Sequence, residues 1–378
     1  MAITVKQVST RGERYSFIHL PARINRDYRN WVPPIYSDDW TFYHPVRNKA
    51  AEGCETVLFL ACKGRKPVGR IMGIIHHRYN ELHNEKNGRF FGFECYNDQE
   101  IAHALISRVE RWAAERGMTG MVGPLGFSDK DPQGFQIEGF EHPPIYATAC
   151  QQPYMIDLLT GEGYTKMVDL NDYIIDVPQE IPEIYQRVSR WTSNKFKYRL
   201  VEFKRRKEIR PYIISVFQLM NEAYQHILGF VPLDDLEMKQ LADRYLPVLN
   251  PEYIKLVFVD NDLVGFIIAM PEMAPGIRRA NGHLFPFGFL KILNEMKRTH
   301  RLTLLLGAIK KPYRGNGVDV LMGIRMLETC KKNGITQVES HLILENNLSM
   351  NGELTKLGAQ LHKRFRIYTR SLEGIITS

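Results

Sequence analysis

Apolar positions along the chain recur with two periods. Over residues 56–71 and 255–267, an apolar run, a polar turn and a second apolar run predict β-hairpins. Over 99–116, Ile101, Leu105, Val109 and Trp112 fall on one helical face, and Gly117 supplies a stop. Towards the end, 302–309 (Leu-Thr-Leu-Leu-Leu-Gly-Ala-Ile) predicts a buried strand. Val320, Ile324 and Leu327 then recur at helical spacing, stopped by Lys331, Lys332 and Gly334. A second apolar strand over 336–344 follows, then a short helix opened by Asn346-Asn347 and closed by Lys356-Leu-Gly-Ala359, and a last strand ending near Tyr368.

These elements repeat. Gly69 and Gly265, Gly163 and Gly358, and Tyr173 and Tyr368 are each separated by half a chain, at offsets agreeing within one residue. With 378 residues, 44% of them hydrophobic, the chain is long enough for two domains. The pattern predicts two α/β units, 1–178 and 179–378, each with a mixed sheet. Gly117 and Gly334, which end the two long helices, are further apart than the other pairs, so the halves have exchanged insertions. The second half's insertion holds Pro275-Gly-Ile-Arg-Arg279 and the aromatic-rich Gly282-His-Leu-Phe-Pro-Phe-Gly-Phe289. It reads either as the lining of a pocket for an apolar or acyl group or as a short helix plugging the core. The first half's insertion spans 125–146, a loop long enough to carry function.

Between strand 302–309 and its helix lies Lys311-Pro-Tyr-Arg-Gly-Asn-Gly317. Gly315 and Gly317 remove side chains from a helix N-terminus, whose amides and dipole favour phosphate; a tight connection without a ligand is the alternative. The matching turn of the first half, Cys95-Tyr-Asn-Asp-Gln-Glu100, has no glycine, and its Asp98 is placed to cap a helix.

Order, spacing and turn over about 301–370 resemble the GNAT acetyltransferase superfamily. The resemblance implies two tandem GNAT-like units, each a mixed, mostly antiparallel central sheet flanked by helices, the N-terminal unit being degenerate. It implies acetyl-CoA or another acyl-CoA held by Arg314, Gly315, Asn316, Gly317, Val318 and Asp319, with Asn347 opening the next helix. The pantetheine arm would run along Ile309 and Lys310, whose amides would hold the thioester oxygen. The chain departs from the pattern twice. Asp319 replaces the motif's last glycine, and Leu354 stands where many relatives carry the tyrosine that protonates the departing thiolate.

Amine acylation needs a base for the attacking ammonium. Glu339 and His341 alternate with Val338 and Ser340 and are expected to share a strand face near the cleft; Glu272 and Glu345 are further candidate acid/base groups, and Tyr313 and Tyr368 are candidate acids.

The net charge of +8 is concentrated at residues 187–210, where ten basic residues face Glu202 and Glu208, with Trp191, Phe196, Tyr198 and Phe203 interleaved. Such a stripe reads as a solvated connector or as a guide for an anionic partner. Cys54, Cys62, Cys95, Cys150 and Cys330 are scattered, suggesting neither a disulfide framework nor a zinc site, and no metal is expected. No apolar signal core or membrane-length run is present, which predicts a cytoplasmic protein. The expected activity is acyl transfer from acyl-CoA to an amine or hydroxyl of a small-molecule acceptor, with no nucleic-acid partner. A non-catalytic binding protein on the same scaffold, or an aminoacyl or peptidyl transferase using charged tRNA, are the alternatives. The sequence does not assign an oligomeric state.

Overall fold

A computed structural model describes residues 2–181, 183, 185–187, 197–246 and 249–374. The first half runs β1 (Ile3–Gln7), α1 (Arg11–Ile24), α2 (Tyr36–Phe42), the hairpin β2 (Cys54–Lys63) and β3 (Lys66–His76), and α3 (His77–His83). It continues through β4 (Asn87–Cys95), α4 (Gln99–Ala114), β5 (Gly120–Gly123), β6 (Phe135–Glu138) and α5 (Met155–Gly161) to β7 (Thr165–Asp176). The second half repeats the scheme: β8 (Arg199–Glu202), α6 (Ile213–Ala223), α7 (Asp235–Tyr245), the hairpin β9 (Ile254–Val259) and β10 (Asp262–Pro271), α8 (Ala274–Arg279) and α9 (Gly288–Arg298). Then come β11 (Arg301–Ile309), α10 (Val318–Lys332), β12 (Gln337–Ser340), β13 (Ile343–Leu344), α11 (Leu348–Lys356) and β14 (Gln360–Ser371). The expected α/β class and the helix-flanked mixed sheets are what is found.

Both halves share one sheet, in the order β1-β2-β3-β4-β5-β14-β7-β12-β11-β10-β9-β8, with β6 on β14 and β13 on β7. The closing strands are exchanged. β14, the end of the second half, lies against β5 of the first, and β7, the end of the first, lies against β12 of the second. Tyr173 and Tyr368 do occupy closing strands, as the repeat predicts, but each strand is seated beside the other unit. Lys363 on β14 is fully buried between Asp172 on β7, at 3.1 Å, and Glu339 on β12, and Arg301 Nη1 reaches Glu339 at 2.9 Å. A buried ammonium is tolerated where opposite charges face it, so this cluster fixes the register of the exchanged strands.

The repeated glycines have a shared cause. A Cβ at Gly69 would lie 2.7 Å from Leu105 Cδ1 of α4, and one at Gly265 would lie 2.8 Å from Val318 Cγ1 of α10. Each long helix therefore approaches its sheet over a glycine, and Ile101, Leu105 and Val109 are buried there in the first half.

The predicted single strand 336–344 is broken. β12 pairs with both β11 and β7 and stops at Ser340, and β13 leaves β11 and continues along β7 alone. The insertion at 275–293 forms α8 and most of α9, and it answers to both readings. Ile277 and Ile292 plug an apolar cluster with Met270, Met273 and Ile35, while Phe289 and Leu293 line a cavity. It docks on the first half where Tyr36 N donates to Gly282 O, at 3.0 Å. In the basic segment, Arg190, Trp191, Lys195 and Phe196 lie outside the described residues; Arg187, Lys197, Arg199, Lys204, Arg205, Arg206, Lys207 and Arg210 are exposed. Among the described residues, no helix is long and apolar enough to cross a membrane.

Candidate active site

The site begins where two strands part. β11 and β12 pair from Arg301 and Gln337 to Leu304 and Ser340, and His341 N then donates to Leu304 O at 2.9 Å. Beyond that point β11 keeps β10 on one side only, and its other edge opens onto a cavity of about 1650 Å³. Leu304, Leu305, Leu306, Gly307, Ala308 and Ile309 form one wall, and Ser340, His341, Leu342, Ile343 and Leu344 form another. At the open edge, the Tyr224 hydroxyl donates to Gly307 O at 3.0 Å and accepts from Gly307 N at 3.2 Å. Burial pushes the Tyr224 phenol well above its ordinary range, so it keeps its proton at neutral pH.

Next along the chain is the glycine turn. Gly315 and Gly317 have φ of 72° and 80°, a region open to glycine at little cost, and Gly317 is the N-cap of α10. No side chain caps this helix, and a Cβ at Gly315 would meet nothing within 4 Å. Among the described residues, the amides of Gly315 and Gly317 donate to no protein group. Arg314 Nε donates to Ile309 O at 3.0 Å, leaving the exposed guanidinium beside the turn. This combination of open amides and a fixed cation suits a phosphate. Asp319, in the first turn of α10, lines the cavity rather than folding back over the amides. It faces Glu353 of α11 closely enough to help raise that carboxyl, whose main cause of elevation is burial.

His341 is the titratable group at the apex of the splay. Burial lowers its pKa below the ordinary 6.5, with Asp129 and a ring hydrogen bond to the Ala147 backbone opposing the shift. The imidazole is therefore neutral at pH 7 and able to accept a proton. Asp129 and Ala147 come from the first half, so the loops following β5 and β6 complete the second half's site. Asp129 pairs with Lys130 at 3.0 Å, and Gln133 Nε2 donates to Asp129 O at 2.7 Å, holding this loop in place. Further into the first half the cavity wall turns polar. Arg70 pairs with Glu94 at 2.9 Å, Asn25 Nδ2 donates to Glu94 at 2.9 Å, and burial pushes Asp39 up to about 7.

The structure brings together only part of the predicted set. Ile309, Arg314, Gly315, Asp319, His341 and Asn347 line the cavity. Lys310 turns aside to Asp262, 2.8 Å away, and its amide donates to Val264 O at 2.8 Å. Asn316 Nδ2 donates to Pro312 O at 3.2 Å, and Val318 is buried against β10. Tyr313 packs on Tyr198, with ring centroids 6.3 Å apart, and does not line the cavity. The shared face expected for Glu339 and His341 is corrected. Val338 and Ser340 face the cavity and Glu339 the buried Lys363, and the strand break after Ser340 swings His341 back to the cavity side. Leu354 is buried in the cavity wall. Tyr224 and Asp129 were not among the predicted groups. Tyr224 follows Val216 and Met220 at helical spacing, which marks a buried position but not a chemical role.

No protein-family model matches the chain. It is similar to a protein named bacterial ceramide synthase from Caulobacter vibrioides, 27% identical over 380 residues, covering 98% of each chain. It is also similar to protein YghO of Escherichia coli, 24% identical over 377 residues, covering 97% of this chain and 95% of that one. Among solved structures, a tandem GNAT protein from the clavulanic acid biosynthesis pathway matches with a TM-score of 0.57 at 12% identity, over 98% of this chain and 99% of that one. A GCN5-related N-acetyltransferase from Sphaerobacter thermophilus gives 0.51 at 12% identity, over 98% and 96%. At these identities the structural likeness is one of fold.

Proposed function

We infer that this chain, whose fold is that of the tandem GNAT proteins, transfers a long acyl group from acyl-CoA to the amine of a long-chain amino alcohol. The observation that carries this reading is the cavity. At about 1650 Å³ it exceeds the roughly 300–1,000 Å³ of ordinary small-molecule sites, and its lining is mostly apolar. An acetyl group and a small amine would leave most of it empty, whereas two aliphatic chains would fill it. The relative named ceramide synthase supports the same acceptor class, an amine on a long-chain base.

We assign the donor to the second unit, 179–378, and most of the acceptor wall to the first, 1–178. Gly315 and Gly317 amides with Arg314 would hold the pyrophosphate, and the open edge of β11 would carry the arm. The carboxylates of Asp319 and Glu353 set a limit on how deeply phosphate can enter, because like charges repel in a partly dry site. When bound, acyl-CoA supplies a thioester carbonyl open to attack.

At the apex, neutral His341 takes the proton that the attacking ammonium must lose, and the Ala147 carbonyl orients its ring. At the open edge the Tyr224 hydroxyl and the Gly307 backbone satisfy one another, so a thioester oxygen would take the Gly307 amide only by displacing that hydroxyl. Tyr224, protonated at neutral pH, is the group that we assign to protonate the departing thiolate in place of the acid lost at Leu354. An apolar cavity favours this reading over transfer from charged tRNA, which would need a basic channel.

The test is incubation with palmitoyl-CoA and a long-chain amino alcohol, following free thiol release and the amide mass. Thiol release that depends on the amine is expected. If acyl-CoA raises thermal stability but no thiol appears, the chain is a binding protein; if no CoA species binds at millimolar concentration, the donor site is wrong.

A further inference from the structure

Among the described residues, five of the fifteen exposed large apolar side chains fall within 285–293. Phe285 is 80% exposed, Phe287 67% and Leu290 51%, and Phe289 and Leu293 are each above a third. A soluble surface rarely gathers aromatics this densely without a use for them. The patch is held firmly. Ile292 of α9 packs on Gly276 of α8, and a Cβ at Gly282 would lie 2.3 Å from Pro34 O of the first half. It is also basic. Over 274–298, Arg278, Arg279, Lys291, Lys297 and Arg298 oppose Glu295 alone, which Arg279 pairs. A second copy of this chain would present the same positive charge and be repelled. Exposed Phe and Leu beside Lys and Arg on a short helix match an anionic lipid surface, where apolar side chains enter the acyl boundary and cations meet head groups.

The location gives this surface a purpose. Phe289 and Leu293 are both exposed and part of the cavity lining, so the cavity opens beside the patch. We propose that α9 and the Phe285–Phe287 turn dock the protein on an anionic bilayer, placing this mouth of the cavity against the lipid. Docking stands on the surface alone; the passage of a lipid amine through this mouth rests on the acyl-transfer reading above.

The experiment is co-sedimentation of the full chain with vesicles of equal parts phosphatidylglycerol and phosphatidylcholine, and with phosphatidylcholine alone. Binding to the anionic vesicles that weakens with salt is expected. The triple variant Phe285→Ser, Phe287→Ser, Leu290→Ser should lose about a hundredfold in vesicle affinity. None of the three lines the cavity, so its stabilisation by palmitoyl-CoA in solution should be unchanged. Docking is overturned if the wild type stays in the supernatant, if neutral vesicles bind equally well, or if the triple variant binds as well as wild type. It is also overturned if ultracentrifugation shows a self-associated wild type that the triple variant dissociates. Vesicle binding without thiol release would keep docking and sink the acyl-transfer reading instead.

Discussion

The two halves meet the same structural problem at two places and solve it differently. Each has a parallel strand pair that splits, and at the split a backbone amide donates to the long strand: Leu125 N to Phe90 O in the first half and His341 N to Leu304 O in the second, both at 2.9 Å. Each also has a long helix starting just beyond that strand. In the first half the apex residue is a buried leucine, and the helix start is closed by Asp98, whose carboxylate accepts from Glu100 N at 3.0 Å and pairs with Lys63 at 2.6 Å. In the second the apex carries a titratable imidazole, and the helix start carries glycines with open amides. One frame thus yields either a self-satisfied wall or a site with unmet hydrogen-bonding capacity. The difference rests on a handful of side chains. Exchanging those side chains between halves is therefore the most direct test.

The largest effect is expected from His341→Leu, which gives the second apex the residue of the first. Loss of a general base costs about 10²–10⁴ in kcat, while palmitoyl-CoA should still raise the melting temperature because the turn is untouched. Since burial holds His341 below 6.5, the wild-type rate should be flat at neutral pH and fall only as pH drops through the lowered value. The sign for stability follows from the same shift. An imidazole kept neutral in the fold but free to protonate when unfolded contributes stability above pH 6.5, and that contribution is lost on acidification. His341→Leu should flatten this acid limb in urea titrations at stepped pH. A rate unchanged within twofold would remove His341 from the chemistry.

Next in size is Gly317→Asp, which places a carboxylate at the N-cap of α10 as Asp98 does for α4. Wild-type protein at a hundredfold excess of ligand over its Kd gains about 2.7 kcal/mol, and the variant should gain almost none. A non-glycine residue at φ 80° adds strain, so the ligand-induced shift is the readout rather than the melting temperature itself. A full shift in this variant would mean that phosphate does not rest on these amides.

What the sequence revealed, and what it hid, follows the same division. Gly69 and Gly265 were readable because a helix that lies against a strand leaves no room for a Cβ, and the requirement recurs in both units. The glycine turn was readable because positive φ leaves few alternatives. Strand exchange was not, since β7 and β14 both read as closing strands and nothing in their spacing assigns either to a seat. The break after Ser340 was hidden because apolar residues continue on both sides of it, and unbroken alternation then put Glu339 and His341 on one face. Asp129 lies in a loop with no period to read, and it gains meaning only when the fold sets it near His341 and Tyr224. Requirements repeated within each half leave a mark on spacing; contacts between the halves leave none.

The smallest expected effect is the one that tests whether the first half is truly closed. Asp98→Ala removes the side chain that satisfies the start of α4, and loss of such a cap costs about 1 kcal/mol, measurable as a lower urea midpoint with an unchanged slope. Asp98→Asn keeps the oxygen that accepts from Glu100 N and should recover most of that loss, separating the cap from the charge pair with Lys63. In neither variant should the first half acquire affinity for palmitoyl-CoA. Freeing amides does not open the turn, because Tyr96 still carries a side chain where the second half has Gly315. A second equivalent of palmitoyl-CoA bound by Asp98→Ala in calorimetry would show that the capping carboxylate alone distinguishes the two halves.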